Sequence, residues 1–414
     1  MIKSLSVWWD GAVVGAVRLD EHGDLSFAYA DAWVTDPARP AISQSLPKRS
    51  EPFNRRATRP FFAGLLPDEA QREAVAQALG ISKGNDFRLL EALGGDVAGA
   101  LTLWPEGETP PAAEGLAAVA PLTEAALAEI LESLPRRPLL AGEQGLRLSL
   151  AGAQQKLPVV LVNGAVALPA PGQPTTHILK PPIARFAATT ENEALAMRLA
   201  AVVGLPVAPA EPRRVAGRPY LLVERYDRSI EQDGRIRRLH QEDFCQALGV
   251  APENKYAGEG GPVFRQCFDL VRAACTSPAL AVLRLLDAAI YNVIIGNADA
   301  HGKNFSLLYG PGGVTLAPLY DLMCTAAYPE LSANLAMRIA KRATLKDFKP
   351  DTWDAFAKEV GVGAPHVRRR VQALAAAMSR RAPGVADEIS TWGFDGAALK
   401  GFVEIIQRRA ERFL

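Results

Sequence analysis

The chain has 414 residues, which is enough for roughly two or three domains with sizeable hydrophobic cores. Its formal net charge is +1, so no whole-protein field draws it to nucleic acid or to an anionic membrane. No run approaches the ~20 apolar residues of a membrane span, and the amino terminus lacks the apolar block of a signal peptide. We therefore expect a soluble, cytoplasmic protein that does not contact membranes.

The cysteines indicate neither structural zinc nor a disulfide framework, because they are widely spaced and form no C-x-x-C pair. They are Cys245, Cys267, Cys275 and Cys324. Free cysteines of this kind are typical of a reducing compartment, where they behave as small buried hydrophobic residues.

Residues 1–104 are predicted to form an N-terminal α/β subdomain. Apolar residues alternate on both sides of Asp10-Gly11, which predicts a β-hairpin. Helical periodicity follows through residues 70–79 and in "DFRLLEALG", which ends at Gly94. Residues 105–145 shift towards Pro, Ala, Gly and Glu, and predict a linker with one short capped helix, "TEAALAEILESL".

Residues 146–240 are predicted to form a β-rich lobe, and residues 241–414 a lobe that is nearly all helical. The β-rich lobe has four predicted strands, "LRLSLAG", "KLPVVLV", "THILKP" and "PYLLVERY", and one helix, "ENEALAMRLAAVVG". The helical lobe begins with "EDFCQALG" and includes "LAVLRLLDAAIYNVIIG" and "APHVRRRVQALAAAMSRRA". A ligand would bind between the two lobes.

A polar cluster interrupts the apolar stretch "IIGNADAHGKNFSLL". Asp299 and Asn304 are five residues apart in it, and Asp321 follows in "LAPLYDL". Phosphoryl transfer needs one carboxylate to accept the proton of the nucleophile, and an amide and a second carboxylate to hold magnesium. Protein kinases place these groups in this order and at this spacing. The alternative is a turn with solvated polar side chains; no second His or Cys completes a zinc site near His301.

Lys180 ends an apolar segment, "HILKPP", from which its ammonium group could pair with nucleotide phosphates. An edge-strand lysine is the alternative. Glu191 and Glu193 open the next helix, and Glu193 shares a face with Ala196 and could steady Lys180. The helix dipole alone also favours acids at this position, and the sequence leaves open which glutamate pairs with Lys180.

Three further segments give weaker signals. "SLAGAQQK" has small residues whose backbone amides could cradle phosphates, although it matches neither a Walker A motif nor G-x-G-x-x-G. "LVERYDR" could present an extended backbone to an adenine ring, or be an ordinary strand end. The arginines at 368–370 and 380–381 lie on a predicted helix, where a solvated face is favoured over a local contact with DNA or an acidic partner.

Together, these segments resemble the HipA family of bacterial serine/threonine kinases, the toxins of HipA–HipB toxin–antitoxin pairs. The resemblance covers most of the chain and includes "FFAGLLPDE", "GGDVAGAL", "HQEDFCQALG" and "NADAHGKNF". It implies an α+β, two-lobed protein-kinase-like fold with an extra N-terminal α/β subdomain and an all-helical C-terminal lobe. It also implies ATP and Mg²⁺ as cofactors.

The resemblance implies a role for each matching residue. Asp299 is the catalytic base, and Asn304 and Asp321 hold magnesium. Ser149 is the autophosphorylated serine, after whose modification the adjacent loop swings out. Gln155 departs from the family, whose members often carry Glu there, and this change adds an amide and removes a charge. The implied ATP contacts are Lys180, the phosphate-covering loop Ala151, Gly152, Ala153, Gln154, Gln155 and Lys156, the adenine hinge Glu224, Arg225 and Tyr226, and the site residues His301 and Lys303.

The resemblance also implies partners. The protein substrate is an aminoacyl-tRNA synthetase, with the glutamyl enzyme as the first candidate, and its inhibition slows translation and promotes persistence. A small helix-turn-helix antitoxin binds the kinase and operator DNA, so contact with DNA is indirect. Two alternatives stay open: a kinase of a small molecule, which shares the Asp-to-Asn spacing, and a catalytically idle corepressor of a DNA-binding partner.

Overall fold

A computed structural model of the chain describes residues 3–112, 119–143, 146–349 and 351–414. Parts of the predicted linker, 113–118 and 144–145, lie outside the described residues, and with them the predicted boundary at residue 145.

The N-terminal domain is built on a four-stranded antiparallel sheet with the strand order β3-β2-β1-β4. The predicted hairpin is present, because Asp10 and Gly11 both adopt positive φ angles and connect β1 to β2. Phe27, Phe61 and Phe62 are fully buried in its core. The elements are β1 (Lys3–Trp9), β2 (Ala12–Leu19), β3 (Leu25–Tyr29), α1 (Asp31–Thr35), α2 (Arg55–Gly64), α3 (Glu69–Ala78), α4 (Asp86–Leu93) and β4 (Thr102–Pro105).

The β-rich lobe contains a five-stranded antiparallel sheet with the order β6-β5-β7-β9-β8. Successive residues of β9 face opposite sides: Leu221 and Val223 pack with α6, while Leu222 packs with α5. The short helix of the predicted linker therefore belongs to the core of this lobe. The elements are α5 (Glu124–Ser133), β5 (Leu157–Val162), β6 (Ala165–Ala167), β7 (His177–Lys180), α6 (Thr189–Val202), β8 (Ala210–Val215) and β9 (Arg218–Glu224).

The predicted strand "LRLSLAG" is wrong. The segment forms a single isolated bridge, between Leu148 and Asp96. The next residue, Ser149, makes its hydrogen bonds with the N-terminal domain. Ser149 donates its backbone N–H to Asp96 O (3.0 Å) and its hydroxyl to Leu65 O (2.7 Å). The segment is therefore docked on that domain rather than paired in the sheet of its own lobe.

The two-lobed kinase-like fold is confirmed, but the C-terminal lobe is not all-helical. A three-stranded sheet, β12-β13-β14, and a hairpin, β15-β16, accompany its helices, and the first two residues of "EDFCQALG", Glu242 and Asp243, belong to a strand. Helix α11 also continues through Pro383 to Thr391, past its predicted end. The remaining elements are β10 (Arg228–Ile230), β11 (Ile236–Arg238), β12 (His240–Asp243), α7 (Phe244–Ala247), α8 (Phe264–Ala274), α9 (Pro278–Ile295), β13 (Ser306–Gly310), β14 (Gly313–Leu316), β15 (Asn334–Ile339), β16 (Arg342–Thr344), α10 (Thr352–Val360), α11 (Ala364–Thr391) and α12 (Gly396–Glu411).

Helix α9 has the length and hydropathy of a membrane span, the one such helix among the described residues, which corrects the expectation that no run approaches one. Leu285, Ile290 and Tyr291 in it have no exposed surface, so its apolar character is that of a core helix.

On the surface of the same lobe, Arg368 pairs with Asp354 and Arg370 with Asp287. These pairs are consistent with the solvated-face interpretation of that arginine run.

A buried ion network joins the N-terminal domain to the β-rich lobe. The Asp96 carboxylate accepts hydrogen bonds from Arg225 Nη1 (3.1 Å), Arg228 Nη2 (2.9 Å) and Arg238 Nε (3.1 Å). Asp227 pairs with Arg225 and Arg228 at 2.8 and 3.0 Å. Buried charges are tolerated when they are paired in this way. The network therefore fixes the end of β9, where the adenine hinge is predicted, against the N-terminal domain.

Candidate active site

The segment that carries Asp299 begins where helix α9 ends. Gly296, at φ +85°, is the left-handed residue that ends the helix, a conformation that glycine adopts without a steric penalty. Asn297 donates from Nδ2 to Asn292 Oδ1 (2.8 Å), and its Oδ1 accepts the backbone N–H of Asp299 (3.0 Å). Side-chain hydrogen bonds therefore attach the candidate catalytic loop to the core helix.

Four predicted residues form one connected chain of polar contacts. Lys180 Nζ, at the end of β7, donates to Glu193 Oε1 (2.6 Å) and to Asp321 Oδ1 (2.8 Å). Asn304 Nδ2 donates to Asp321 Oδ2 (2.8 Å). The other helix-start acid, Glu191, accepts instead from Asp395 N at 3.5 Å. Of the two glutamates, Glu193 is therefore the one that pairs with Lys180.

The charges around Asp321 keep its carboxylate ionised. Asp321 adopts φ +57°, and its side chain is 45% exposed towards the cleft. Burial on its other side opposes ionisation, but the Lys180 and Lys156 ammonium groups outweigh that effect and hold the pKa of Asp321 well below its usual value. Burial likewise opposes charge on Lys180, yet Asp321 and Glu193 raise the pKa of Lys180 above its usual value.

Asp299 has a different electrostatic environment. The surrounding protein reduces the hydration of its carboxyl group and raises the pKa of Asp299 to about 6; Lys255 opposes this rise, Asp321 adds to it, and the hydroxyl of Tyr256 lowers it by a hydrogen bond. A carboxyl group with this pKa is deprotonated at neutral pH and is more basic than an ordinary aspartate. It is thus suited to accept a proton.

The predicted phosphate-covering loop lies between Ser149 and β5. Gly152 adopts φ +114°, which only glycine does without strain, and Lys156 Nζ donates to Ala151 O. Burial and the nearby charge of Lys180 lower the pKa of Lys156 to about 8. Ser149 has no exposed surface, so phosphorylation of its hydroxyl requires the loop to leave this position.

The three hinge residues point in different directions. Glu224 ends β9 and is exposed, whereas the Arg225 side chain is buried in the ion network with Asp96. The ring of Tyr226 stacks on Tyr320, with centroids 5.6 Å apart, one residue before Asp321. The Arg225 side chain is therefore committed to the ion network, and the backbone of this segment, the Glu224 side chain and the Tyr226 ring are the groups left to face a nucleotide.

His301 and Lys303 lie in the catalytic-loop segment, but their side chains are in different environments. Lys303 Nζ lies 2.8 Å from both carboxylate oxygens of Asp68 in the N-terminal domain. Burial lowers the pKa of His301 to about 3, so its imidazole is neutral, and its buried Nδ1 has no hydrogen-bond partner among the described residues. Lys303, in contrast, is paired with Asp68.

Comparison with known families decides the assignment. The sequence model of the HipA-like C-terminal domain matches residues 148–382, and that of the HipA N-terminal domain matches residues 5–104. The chain belongs to the HipA family.

Several HipA-family relatives cover most of the chain. A putative kinase of Sinorhizobium fredii, Y4mE, is 57% identical over 99% of this chain and 98% of its own. The serine/threonine-protein kinase toxin HipA of Shewanella oneidensis is 34% identical over 67% of this chain and 66% of its own. A solved structure of Shewanella oneidensis HipA with HipB and operator DNA matches with a TM-score of 0.85 and 27% identity, covering 99% of this chain and 97% of that one.

The residues present fit the magnesium ion that a kinase of the HipA family would use. Magnesium prefers oxygen ligands and usually takes one or two protein carboxylates together with substrate phosphates and water. Asp321 is an ionised carboxylate, and the amide of Asn304 lies in contact with it. The carboxylate is paired with Lys180 at 2.8 Å, and a bound magnesium ion would share it with that ammonium group.

The HipA-type site also includes residues to which the sequence analysis assigned no role. Asp68 pairs with Lys303, and Glu69 Oε1 accepts from Lys255 Nζ (2.6 Å). Asp68 and Glu69 end the block "FFAGLLPDE", which carries part of the family resemblance, and this resemblance is the signal by which the sequence could have indicated them. Lys255 and Tyr256 stand in a glycine-rich loop, and nothing in their spacing indicates a catalytic neighbour.

Proposed function

We propose that this chain, a serine/threonine protein kinase of the HipA family, transfers the γ-phosphoryl group of Mg²⁺–ATP to a serine or threonine hydroxyl at this site. The observation that carries the proposal is the connected chain Glu193–Lys180–Asp321–Asn304, whose links measure 2.6, 2.8 and 2.8 Å. These contacts bring residues of both lobes to one point. Positioned charges of this kind are the main protein contribution to phosphoryl transfer.

In the proposed reaction, the acceptor hydroxyl oxygen bonds to the γ-phosphorus, the bond from that phosphorus to the β–γ bridging oxygen breaks, and ADP leaves. Asp299 accepts the proton of the hydroxyl group. Lys180 binds phosphate oxygens as a point charge, and Glu193 fixes its position. Asn304 and Asp321 would hold the magnesium ion, which neutralises charge on the phosphates when bound.

We further propose that the acceptor protein is an aminoacyl-tRNA synthetase, with the glutamyl enzyme tested first, and that its inhibition slows translation and promotes persistence. We also propose a HipB-like helix-turn-helix antitoxin as the partner through which the chain reaches DNA. Support for the partner comes from the likeness to the HipA–HipB–operator structure over almost the whole chain. The net charge of +1 is consistent with an indirect contact to DNA.

The direct test uses γ-labelled ATP and a panel of purified synthetases, with hexoses and aminoglycosides as small-molecule acceptors. Transfer to one synthetase supports the proposal, whereas transfer to a small molecule alone overturns it. Calorimetric titration of the wild-type protein with Mg²⁺–ATP in the same buffer measures binding independently of any acceptor. Absence of binding would show that the site does not use ATP.

Replacing Ser149 with Ala is expected to abolish most self-labelling, since Ser149 is the proposed autophosphorylation site. Labelled peptides are identified by mass spectrometry. Ser50→Ala is the matched control, because Ser50 is an exposed serine of the N-terminal domain. Equal self-labelling of the two variants would exclude Ser149 as the main site.

The rate of transfer is expected to fall at acid pH with a midpoint near 6. Asp299 acts in its deprotonated form, and its pKa is raised to about 6, so activity is present above that pH and falls about tenfold per unit below it. The measurement is kcat/KM from pH 4.5 to 8, because this ratio reports the free enzyme. A midpoint at the ordinary aspartate value of about 4 would contradict the assignment.

A further inference from the structure

A short segment of the N-terminal domain, residues 65–71, contacts the candidate active site, and we call it the supporting turn. It comprises the link between helices α2 and α3 and the first turn of α3, and carries "LLPDEAQ". Glu69 within it adopts φ +48°, a left-handed conformation that costs free energy for a residue with a Cβ atom. Strained backbone of this kind is found disproportionately at functional sites.

The supporting turn holds Ser149 by one hydrogen bond and the phosphate-covering loop by three. Leu65 O accepts the hydroxyl of Ser149 (2.7 Å), and Asp68 N donates to Gly152 O (3.2 Å). The Gln71 side-chain amide faces two carbonyl oxygens, which assigns its nitrogen to that side; so oriented, it donates to Gly152 O (2.9 Å) and Gln154 O (3.1 Å). Gln71 is 3% exposed, so these bonds are made in a buried environment where an unpaired carbonyl is costly.

The supporting turn also contacts the catalytic loop and the neighbourhood of the base. The buried Asp68 carboxylate binds Lys303, which lies four residues after Asp299 and directly before Asn304. Glu69 binds Lys255, whose charge acts on Asp299. The supporting turn therefore contacts three parts of the site: the phosphate-covering loop, the catalytic loop, and Lys255 near Asp299.

We propose that the supporting turn is a working part of the phosphotransfer site, with Gln71 and Asp68 as positioning residues. Gln71 holds the loop of residues 151–156 closed over the nucleotide, and Asp68 fixes the catalytic loop through Lys303. The same contacts keep Ser149 buried, so the N-terminal domain controls both nucleotide retention and access to Ser149. This inference rests on the proposed function, because it takes the loop to cover the phosphates of ATP.

Gln71→Glu tests the contact with little change of size. The carboxylate cannot donate and faces two carbonyl oxygens, so the loop is expected to open more often by roughly tenfold, as the loss of two hydrogen bonds implies. Trypsin cleavage after Lys156, measured without nucleotide from the fragment that begins at Leu157, reports the open population. Gln77→Glu is the matched control, since it makes the same change at an exposed position of the same helix.

Kinetics separate a positioning role from a general loss of structure. In Gln71→Glu, KM for Mg²⁺–ATP is expected to rise by about the same factor as the cleavage rate, while kcat changes little. In Asp68→Asn, kcat is expected to fall more than KM rises, because the catalytic loop is the part released. If both parameters of both variants match Gln77→Glu, the proposal is overturned. Should Gln71→Glu fail to fold, Gln71→Met takes its place, because methionine is uncharged and of similar length. A trypsin cleavage rate of Gln71→Met equal to that of Gln77→Glu would also overturn the proposal.

Access to Ser149 is measured with the acceptor and the kinase on separate molecules. Wild-type enzyme phosphorylates an inactive acceptor, either Asp299→Asn/Gln71→Glu or Asp299→Asn/Gln77→Glu. Faster labelling of Ser149 in the first acceptor supports the inference, and equal labelling contradicts it. If wild type binds no Mg²⁺–ATP, the proposed function fails, whereas the cleavage assay still shows whether Gln71 holds the loop.

Discussion

Asp299→Asn is expected to lower the rate of phosphoryl transfer by about 10²–10⁴-fold, the usual contribution of a general base. Asparagine has the same shape as aspartate but cannot accept the proton of the acceptor hydroxyl. The affinity for Mg²⁺–ATP should stay close to that of wild type, because Lys180 and Asp321 are unchanged. Single-turnover transfer from γ-labelled ATP measures the rate, and calorimetry measures the affinity.

Asp269→Asn is the control for this experiment. Asp269 lies on α8, is exposed, and pairs with its helical neighbour Arg272 at 3.2 Å, so the same change there should leave transfer unaltered. If Asp299→Asn transfers phosphate as fast as Asp269→Asn while binding ATP equally, Asp299 is not the base.

Asp96→Asn is expected to cost about 3–5 kcal/mol in the free energy of unfolding, as does the breaking of a buried charge network. The substitution leaves the buried Arg225 and Arg228 and the half-buried Arg238 with Asp227 as the remaining counter-charge of the described network. These arginines hold the pKa of Asp96 well below its usual value against the effect of burial. Its contribution to stability is therefore present above the ordinary aspartate pKa and lost as the pH falls below it.

Urea unfolding followed by tryptophan fluorescence measures this cost. Four of the six tryptophans lie in the N-terminal domain, and the transition midpoint is the safer quantity, because a multidomain chain need not unfold in two states. Asp10→Asn removes an exposed pair across the same junction, Asp10–Arg237 at 3.8 Å, which is worth about 0–1 kcal/mol. Equal midpoints for the two variants would show that the buried network does not hold the domains together.

Residue spacing predicted much of the candidate site because its parts are local. Asp299 and Asn304 share one short loop, and Lys180 and Glu193 lie on adjacent elements, β7 and α6, where periodicity assigned their faces. The choice between Glu191 and Glu193, which the sequence leaves open, is decided by the structure alone, in which Lys180 pairs with Glu193. The catalytic roles of these residues stay predictions until the assays above are done.

Contacts between distant segments could not be predicted in the same way. The resemblance includes Arg225 in the adenine hinge, but its side chain is bound in the ion network by Asp96, 129 residues away. The alternation of apolar residues around Ser149 predicts a strand. It does not reveal that the Ser149 hydroxyl and backbone N–H donate to Leu65 O and Asp96 O of the N-terminal domain instead. Helix α11 passes Pro383 because Val385 and Ile389 beyond it are buried in the core of the lobe, and this packing outweighs one missing hydrogen bond.

The pairing of Asp68 with Lys303 joins residues 235 positions apart, and this distance has a consequence for synthesis. At about 5–20 residues per second, roughly 12–50 s separate the appearance of the two residues at the ribosome. The N-terminal domain has its own core and can fold during that interval, whereas Asp68 of the supporting turn is unpaired with Lys303 until Lys303 has been made. If Asp68 positions the catalytic loop as proposed, a nascent chain cannot phosphorylate anything before Lys303, in the first half of the helical lobe, is made. A chain that terminates before Lys303 would then lack phosphotransfer activity.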